Sequence, residues 1–199
     1  VVYYTMQVVI LTQKYKKYII HSVFLQKNDY FYALLKIKQK NMNTKIVTFG
    51  EILLRLSKPG YQRLTQGHRM LGNYGGSEAN TAISLAYLGN NVEYVSRLPY
   101  GAMGDAALMH LREYGLNVSH VVRGGERLGT YYFEEAVAMR NSQVIYDRKN
   151  SAMYSLKRGM VEWDKVLGDA AVFHCSGITC AISRDSMEST MDALQLAEA

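Results

Sequence analysis

Hydrophobic and polar positions alternate between strand-like and helix-like spacing along most of this chain. Lys45–Phe49 alternates into Gly50-Glu51 and reads as a first strand with a tight exit, and Ile52–Leu56 continues extended. Lys58-Pro59-Gly60 is a turn. Tyr61–Tyr74 is polar and glycine-spaced, with no helical stripe, and predicts short strands or a flap. In Ser77–Leu88, Ala79, Ala82, Ile83 and Ala86 recur at spacings of three and four, and Gly89 lies just past the end, which predicts a helix. Val92–Leu98 reads as a strand. Asp105–Tyr114 reads as a second helix, with Asp105 in its first turn and Gly115 as its terminator. Val118–Arg123 is a short strand before the Gly124-Gly125 turn. Thr130–Val137 and Gln143–Arg148 are two more strands, joined by the polar stretch Met139–Ser142. Met160–Leu167 is helical, Ala170–Cys175 is an apolar strand ending at Ser176-Gly177, and Arg184–Glu198 is a helix.

Strand–helix alternation of this kind predicts an α/β domain with a doubly wound parallel sheet, covered on both faces. The pair 130–137 and 143–148 breaks the rhythm and predicts a hairpin outside the main sheet.

Composition changes this picture at one end. The chain has 199 residues, is 48% hydrophobic and 20% charged, and so is expected to fold rather than stay disordered. Residues 1–41 hold seven lysines, no arginine and a single acid, Asp29, which accounts for the whole net charge of +6. The remainder is neutral, so no basic nucleic-acid-binding face is expected on it. The first glycine is Gly50, and a new compositional regime starts at Met42. Residues 1–41 are therefore expected to be a non-native or upstream extension, and 42–199 the domain. Neither a secretory nor a mitochondrial leader fits the segment. No apolar run is long enough to span a membrane. These features, with two unpaired-looking thiols, suit the cytoplasm.

The most informative block is Tyr74-Gly75-Gly76-Ser77-Glu78-Ala79-Asn80-Thr81-Ala82. Two glycines enter a helix whose first N–H groups lack partners. Ser77 is placed to act as N-cap, and Asn80, one turn in, can point back to the same spot. Such a mouth suits a polyhydroxylated ligand, and it is equally an ordinary glycine turn before a capped helix. It lacks the G-x-G-x-x-G spacing of a dinucleotide site, and no G-x-x-x-x-G-K-[ST] phosphate loop occurs.

The second block is Val144-Ile145-Tyr146-Asp147-Arg148, where period two puts Tyr146 and Arg148 on one face. A tyrosine and a guanidinium fork facing a cavity can bind a carboxylate. Tyr131 or Tyr132 on the neighbouring strand could add a hydroxyl. A solvated strand face with aromatic cross-strand pairs accounts for the pattern as well. Cys175 and Cys180 form no metal-ligand pair set and read as reduced thiols in or near the core.

Taken together these blocks resemble the ribokinase-like (PfkB) carbohydrate kinases, closest to the 2-keto-3-deoxygluconate kinases. Val47-Thr48-Phe49-Gly50-Glu51, the glycine–asparagine block, Leu98–Ala107, Gly129-Thr130-Tyr131-Tyr132-Phe133, Val144–Ala152 and Phe173–Thr179 carry the resemblance, in the family's order over 42–199. It implies a ribokinase-like fold with a small β lid, here the segments about 52–74 and 130–148. It implies transfer of the ATP γ-phosphoryl group to the 6-hydroxyl of 2-keto-3-deoxygluconate, with Mg²⁺. By the family's pattern Gly75, Gly76, Ser77 and Asn80 line the sugar, Tyr131 packs on it or bonds to it, and Tyr146 and Arg148 hold its carboxylate end. Ser77-Glu78-Ala79 before the asparagine departs from the general signature toward the acid-sugar subgroup.

The family's anion hole, catalytic aspartate and nucleotide pocket match no segment here. The expectation is a substrate-binding half, with no catalytic residue of its own, no metal ligand, and ATP and Mg²⁺ held mainly elsewhere. The alternatives are another PfkB-type kinase such as a fructokinase, or a non-catalytic carbohydrate-binding fragment. The implied partner is a small acid sugar, with no nucleic acid or membrane. A homodimer through the lid is compatible with the resemblance.

Overall fold

The computed structural model describes residues 7–11, 19–22 and 44–198. The expectation for residues 1–41 falls largely outside these. Within that stretch, β1 (Gln7–Leu11) and β2 (Ile19–Ser22) form an antiparallel pair.

The body follows from two apolar strands that were legible as such. β3 (Lys45–Phe49) pairs in parallel with β6 (Asn91–Val95) on one side and β11 (Ala170–Ser176) on the other. β1 flanks β11 antiparallel, giving a five-stranded sheet in the order β2-β1-β11-β3-β6. Period-two alternation sorts the strand residues between two cores. Ile46, Val92, Tyr94 and Val172 face a cluster with Ala82 and Leu85 of α1 (Ser77–Tyr87) and Ala107 and Leu111 of α2 (Ala102–Glu113). Val47, Phe49, Val95, Phe173 and Cys175 face the other way. There they meet Trp163 and Val166 of α3 (Trp163–Leu167) and Ala193 and Ala197 of α5 (Arg184–Glu198). Phe49 and Phe173 both pack edge-on against Trp163, at centroid distances of 5.0 and 5.5 Å. Helices thus cover both faces, as parallel pairing demands.

The lid is a second sheet. β4 (Leu53–Ser57), β5 (Leu71–Gly75), β9 (Thr130–Glu134) and β10 (Gln143–Asp147) lie in the order β10-β9-β4-β5. The β9–β10 hairpin stands outside the main sheet, as its sequence predicted. Its union with β4 is parallel, in the register Arg55↔Tyr131.

Two readings are corrected and one element is added. The helix expected from Asp105 starts at Ala102, because Gly101 admits the turn earlier with φ 91°. The strand expected over 118–123 shrinks to β8 (Val122–Arg123), paired only with the two-residue β7 (Arg97–Leu98). A short helix, α4 (Gly177–Ile182), fills the turn after β11; six residues are too few to show a period.

Candidate functional site

The site is built where the lid meets the start of α1. β3 ends at Phe49, and Gly50-Glu51 carry the chain toward the lid. Gly76 is tightly placed there. A Cβ on it would lie 2.2 Å from the Glu51 carbonyl oxygen, so only glycine lets the helix mouth press against that strand. Gly76, with no side chain to offer, is the N-cap, and Ser77 is the first helical residue. The expected Ser77 cap is therefore absent; the close approach needs glycine at that position. Ser77 and Asn80 are freed to face a hollow instead.

That hollow has a volume of about 380 Å³. Gly76, Ser77 and Asn80 form its body side, and Tyr131, Tyr146 and Arg148 its lid side. Six of the seven residues singled out from sequence thus meet at one place. Gly75 is not among the lining residues, although a Cβ on it would come 2.8 Å from the Tyr131 hydroxyl.

The lid's contribution is a single face. Leu53 and Arg55 on β4, Tyr131 and Phe133 on β9, and Val144 and Tyr146 on β10 share one face of the sheet and all line the hollow. Register aligns Arg55, Tyr131 and Tyr146 in one cross-strand row. The Tyr131 and Tyr146 rings lie 5.8 Å apart, centre to centre. A larger hollow of about 750 Å³ lies between α3 and α5, but none of these residues reaches it.

Two buried carboxyls complete the site, neither of them assigned a role from sequence. Glu51 pairs with the Arg148 guanidinium and accepts a hydrogen bond from the Ser151 hydroxyl. Burial pushes the Glu51 carboxyl above its ordinary value, and Arg148 only partly offsets this. Glu78 lies in the wall of the hollow with one carboxylate oxygen committed elsewhere. Its Oε1 accepts from the Ser176 amide at 2.9 Å, from the Thr179 hydroxyl at 2.7 Å and from the Ser176 hydroxyl. This ties α1 to the β11–α4 corner and sets Ile178 in the wall. Burial also raises the Tyr131 hydroxyl, so it stays protonated and able to donate at neutral pH.

The arrangement offers short donors and acceptors on the helix side and cations with aromatic faces on the lid side. That is chemistry for a small polyhydroxylated anion. Among the described residues no group of three or more His, Cys, Asp or Glu side chains is placed to hold a metal ion. No phosphate-cradling loop ending in Lys-Ser/Thr occurs in the sequence. Among the described residues the hollow shows no cradle for a nucleotide with its metal.

A helix-covered parallel sheet with a β lid over one polar hollow is the ribokinase-like architecture, and solved structures bear this out. A 2-dehydro-3-deoxygluconokinase from Thermotoga maritima superposes with a TM-score of 0.75 at 42% identity, over 78% of this chain and 48% of that one. A PfkB family carbohydrate kinase from Listeria grayi gives the same TM-score at 33% identity, over 77% of this chain and 48% of that one. The model of the pfkB family carbohydrate kinases matches residues 43–198, and the chain belongs to that family. In sequence it is similar to a 2-dehydro-3-deoxygalactonokinase of Haloferax volcanii, 35% identical over 78% of this chain and 49% of the relative. It is also similar to a 2-dehydro-3-deoxygluconokinase of Bacillus subtilis, 29% identical over 75% of this chain and 46% of the relative. The chain spans about half the length of these curated relatives. Among the described residues no helix is long and apolar enough to cross a membrane.

Proposed function

We propose that this chain is the sugar-binding part of an ATP-dependent acid-sugar kinase, one that phosphorylates the 6-hydroxyl of 2-keto-3-deoxygluconate or a close 2-keto-3-deoxy acid. The observation that carries the reading is the meeting of the Gly76–Asn80 helix mouth with Tyr146 and Arg148 around one hollow. In it Ser77, Asn80 and Tyr131 bind sugar oxygens, and Tyr146 and Arg148 face the carboxylate end. A neutral hexose has no use for a cation there. The names of the relatives given above agree with an acid-sugar substrate. ATP and Mg²⁺ would be held by residues other than those described, so this chain alone transfers no phosphoryl group. The same reading places it in the cytoplasm, with a homodimer through the lid's outer face, where Ile145 is 46% exposed.

Titration calorimetry on the 199-residue protein tests the binding, with 2-keto-3-deoxygluconate and fructose as ligands. Tighter binding of the acid sugar is expected. Equal or stronger binding of fructose, or no binding of either, overturns the reading. An ADP-release assay with MgATP is expected to show no turnover above background; clear turnover refutes the assignment to sugar binding alone.

A further inference from the structure

The charges around the hollow are unevenly committed. Its lining includes two acids, Glu51 and Glu78, and two arginines, Arg55 and Arg148. Glu78 has turned to Ser176 and Thr179. Arg148, the cation that the sequence singled out, is engaged by the buried Glu51 carboxyl, and its guanidinium carbon lies 5.7 Å from the Tyr146 ring centre. An incoming carboxylate must compete with Glu51 for it.

Arg55 is placed differently. It stands at one end of that cross-strand row, in register with Tyr131, and lines the same hollow. Its guanidinium carbon lies 5.8 Å from the Phe133 ring centre, and Tyr131 is its cross-strand neighbour. No carboxylate among the described residues forms an ion pair with it. Its Nε is buried and has no hydrogen-bond partner. A guanidinium that lines a polar hollow without a carboxylate partner keeps its charge available to an anionic ligand. The ring beneath the guanidinium and the tyrosine beside it hold it facing the hollow.

We propose that Arg55 is the specificity-determining cation of this site, taking the carboxylate of the acid sugar, while Glu51 holds the charge of Arg148. The inference rests on the acid-sugar reading above and names the residue that selects the anion. Arg148 then serves the ligand through its remaining N–H groups, and the two lid arginines grip from either side of β9.

The test compares 2-keto-3-deoxygluconate with 3-deoxyfructose, which carries CH₂OH where the acid carries its carboxylate. Calorimetric affinities for both are measured on the full chain, wild type and variants, after each has been shown to melt cooperatively. Arg55→Gln is expected to cut the acid-to-neutral affinity ratio about tenfold or more, the loss of a charge-assisted contact. Arg55→Lys, which keeps the charge but loses the fork, is expected to cut it about threefold. A merely structural role moves both affinities alike and leaves the ratio unchanged. If Gln at this position does not fold, Lys carries the test. An unchanged ratio in either folded variant overturns this inference and leaves the sugar site standing. Failure of the wild type to bind either sugar overturns both.

Discussion

Glu78 is the residue on which the shape of the site depends most, and its removal can be costed. Its Oε1 gathers three donors: the Ser176 amide, the Ser176 hydroxyl and the Thr179 hydroxyl. All lie in fully buried residues. Glu78→Ala leaves an amide and two hydroxyls inside the protein without their acceptor, each worth about 1–3 kcal/mol. The hydroxyls can rotate to other acceptors and the amide cannot, so we expect a total of about 3–5 kcal/mol. That is a large part of the roughly 5–15 kcal/mol by which domains of this kind are stable. Glu78→Gln keeps an acceptor oxygen in place and puts an amide beside Gly50, for a loss of about 1–2 kcal/mol. Trp163 is the only tryptophan and is buried between Phe49 and Phe173, so its fluorescence reports urea unfolding. With a slope of about 2 kcal/mol per molar urea, the alanine midpoint should fall by roughly 1.5–2.5 M. An alanine variant within about 1 kcal/mol of wild type, or a glutamine variant as damaged as alanine, refutes the reasoning.

Two further outcomes follow from the same region. Gly76→Ala drives a Cβ to 2.2 Å from the Glu51 carbonyl oxygen. Neither backbone can yield as a side chain would, so a loss of about 2–3 kcal/mol is expected; a thermal midpoint equal to wild type contradicts it. Glu51 gives a pH dependence. Burial makes its carboxyl harder to ionise in the fold than in the unfolded chain, so its contribution is fully present below the unfolded value near 4.5 and is lost as pH rises through the higher folded value. Urea titrations from pH 4 to 7 should show wild type losing stability relative to Glu51→Gln, and a gain in that direction rejects the assignment.

Much of the body was readable because its signals are local. The alanine spacing of α1, the apolar runs of β3 and β11 and the turn at Gly89 each speak for themselves. So do Tyr146 and Arg148, since period two needs no knowledge of partners. The hidden parts depend on contacts between distant residues. Glu51 meets Arg148 across nearly one hundred positions, and Glu78 meets Ser176 across 98. Arg55 reads as one polar interruption in a leucine-rich strand until β9 is laid beside it in register. Ser77 shows the opposite failure. A hydroxyl next to a helix start is a sound capping signal, and it yielded here to the closeness of two backbones at Gly76.

The parallel union of β4 with β9 governs how this protein can be assembled. A hairpin closes as soon as its second arm exists, but these two neighbours are separated in the chain by β5, α1, β6, β7, α2 and β8. On the ribosome, the ligand-facing surface therefore stays incomplete until most of the body has emerged. A transplant that lifts only one lid segment onto another scaffold carries away part of a row, and leaves the other part behind.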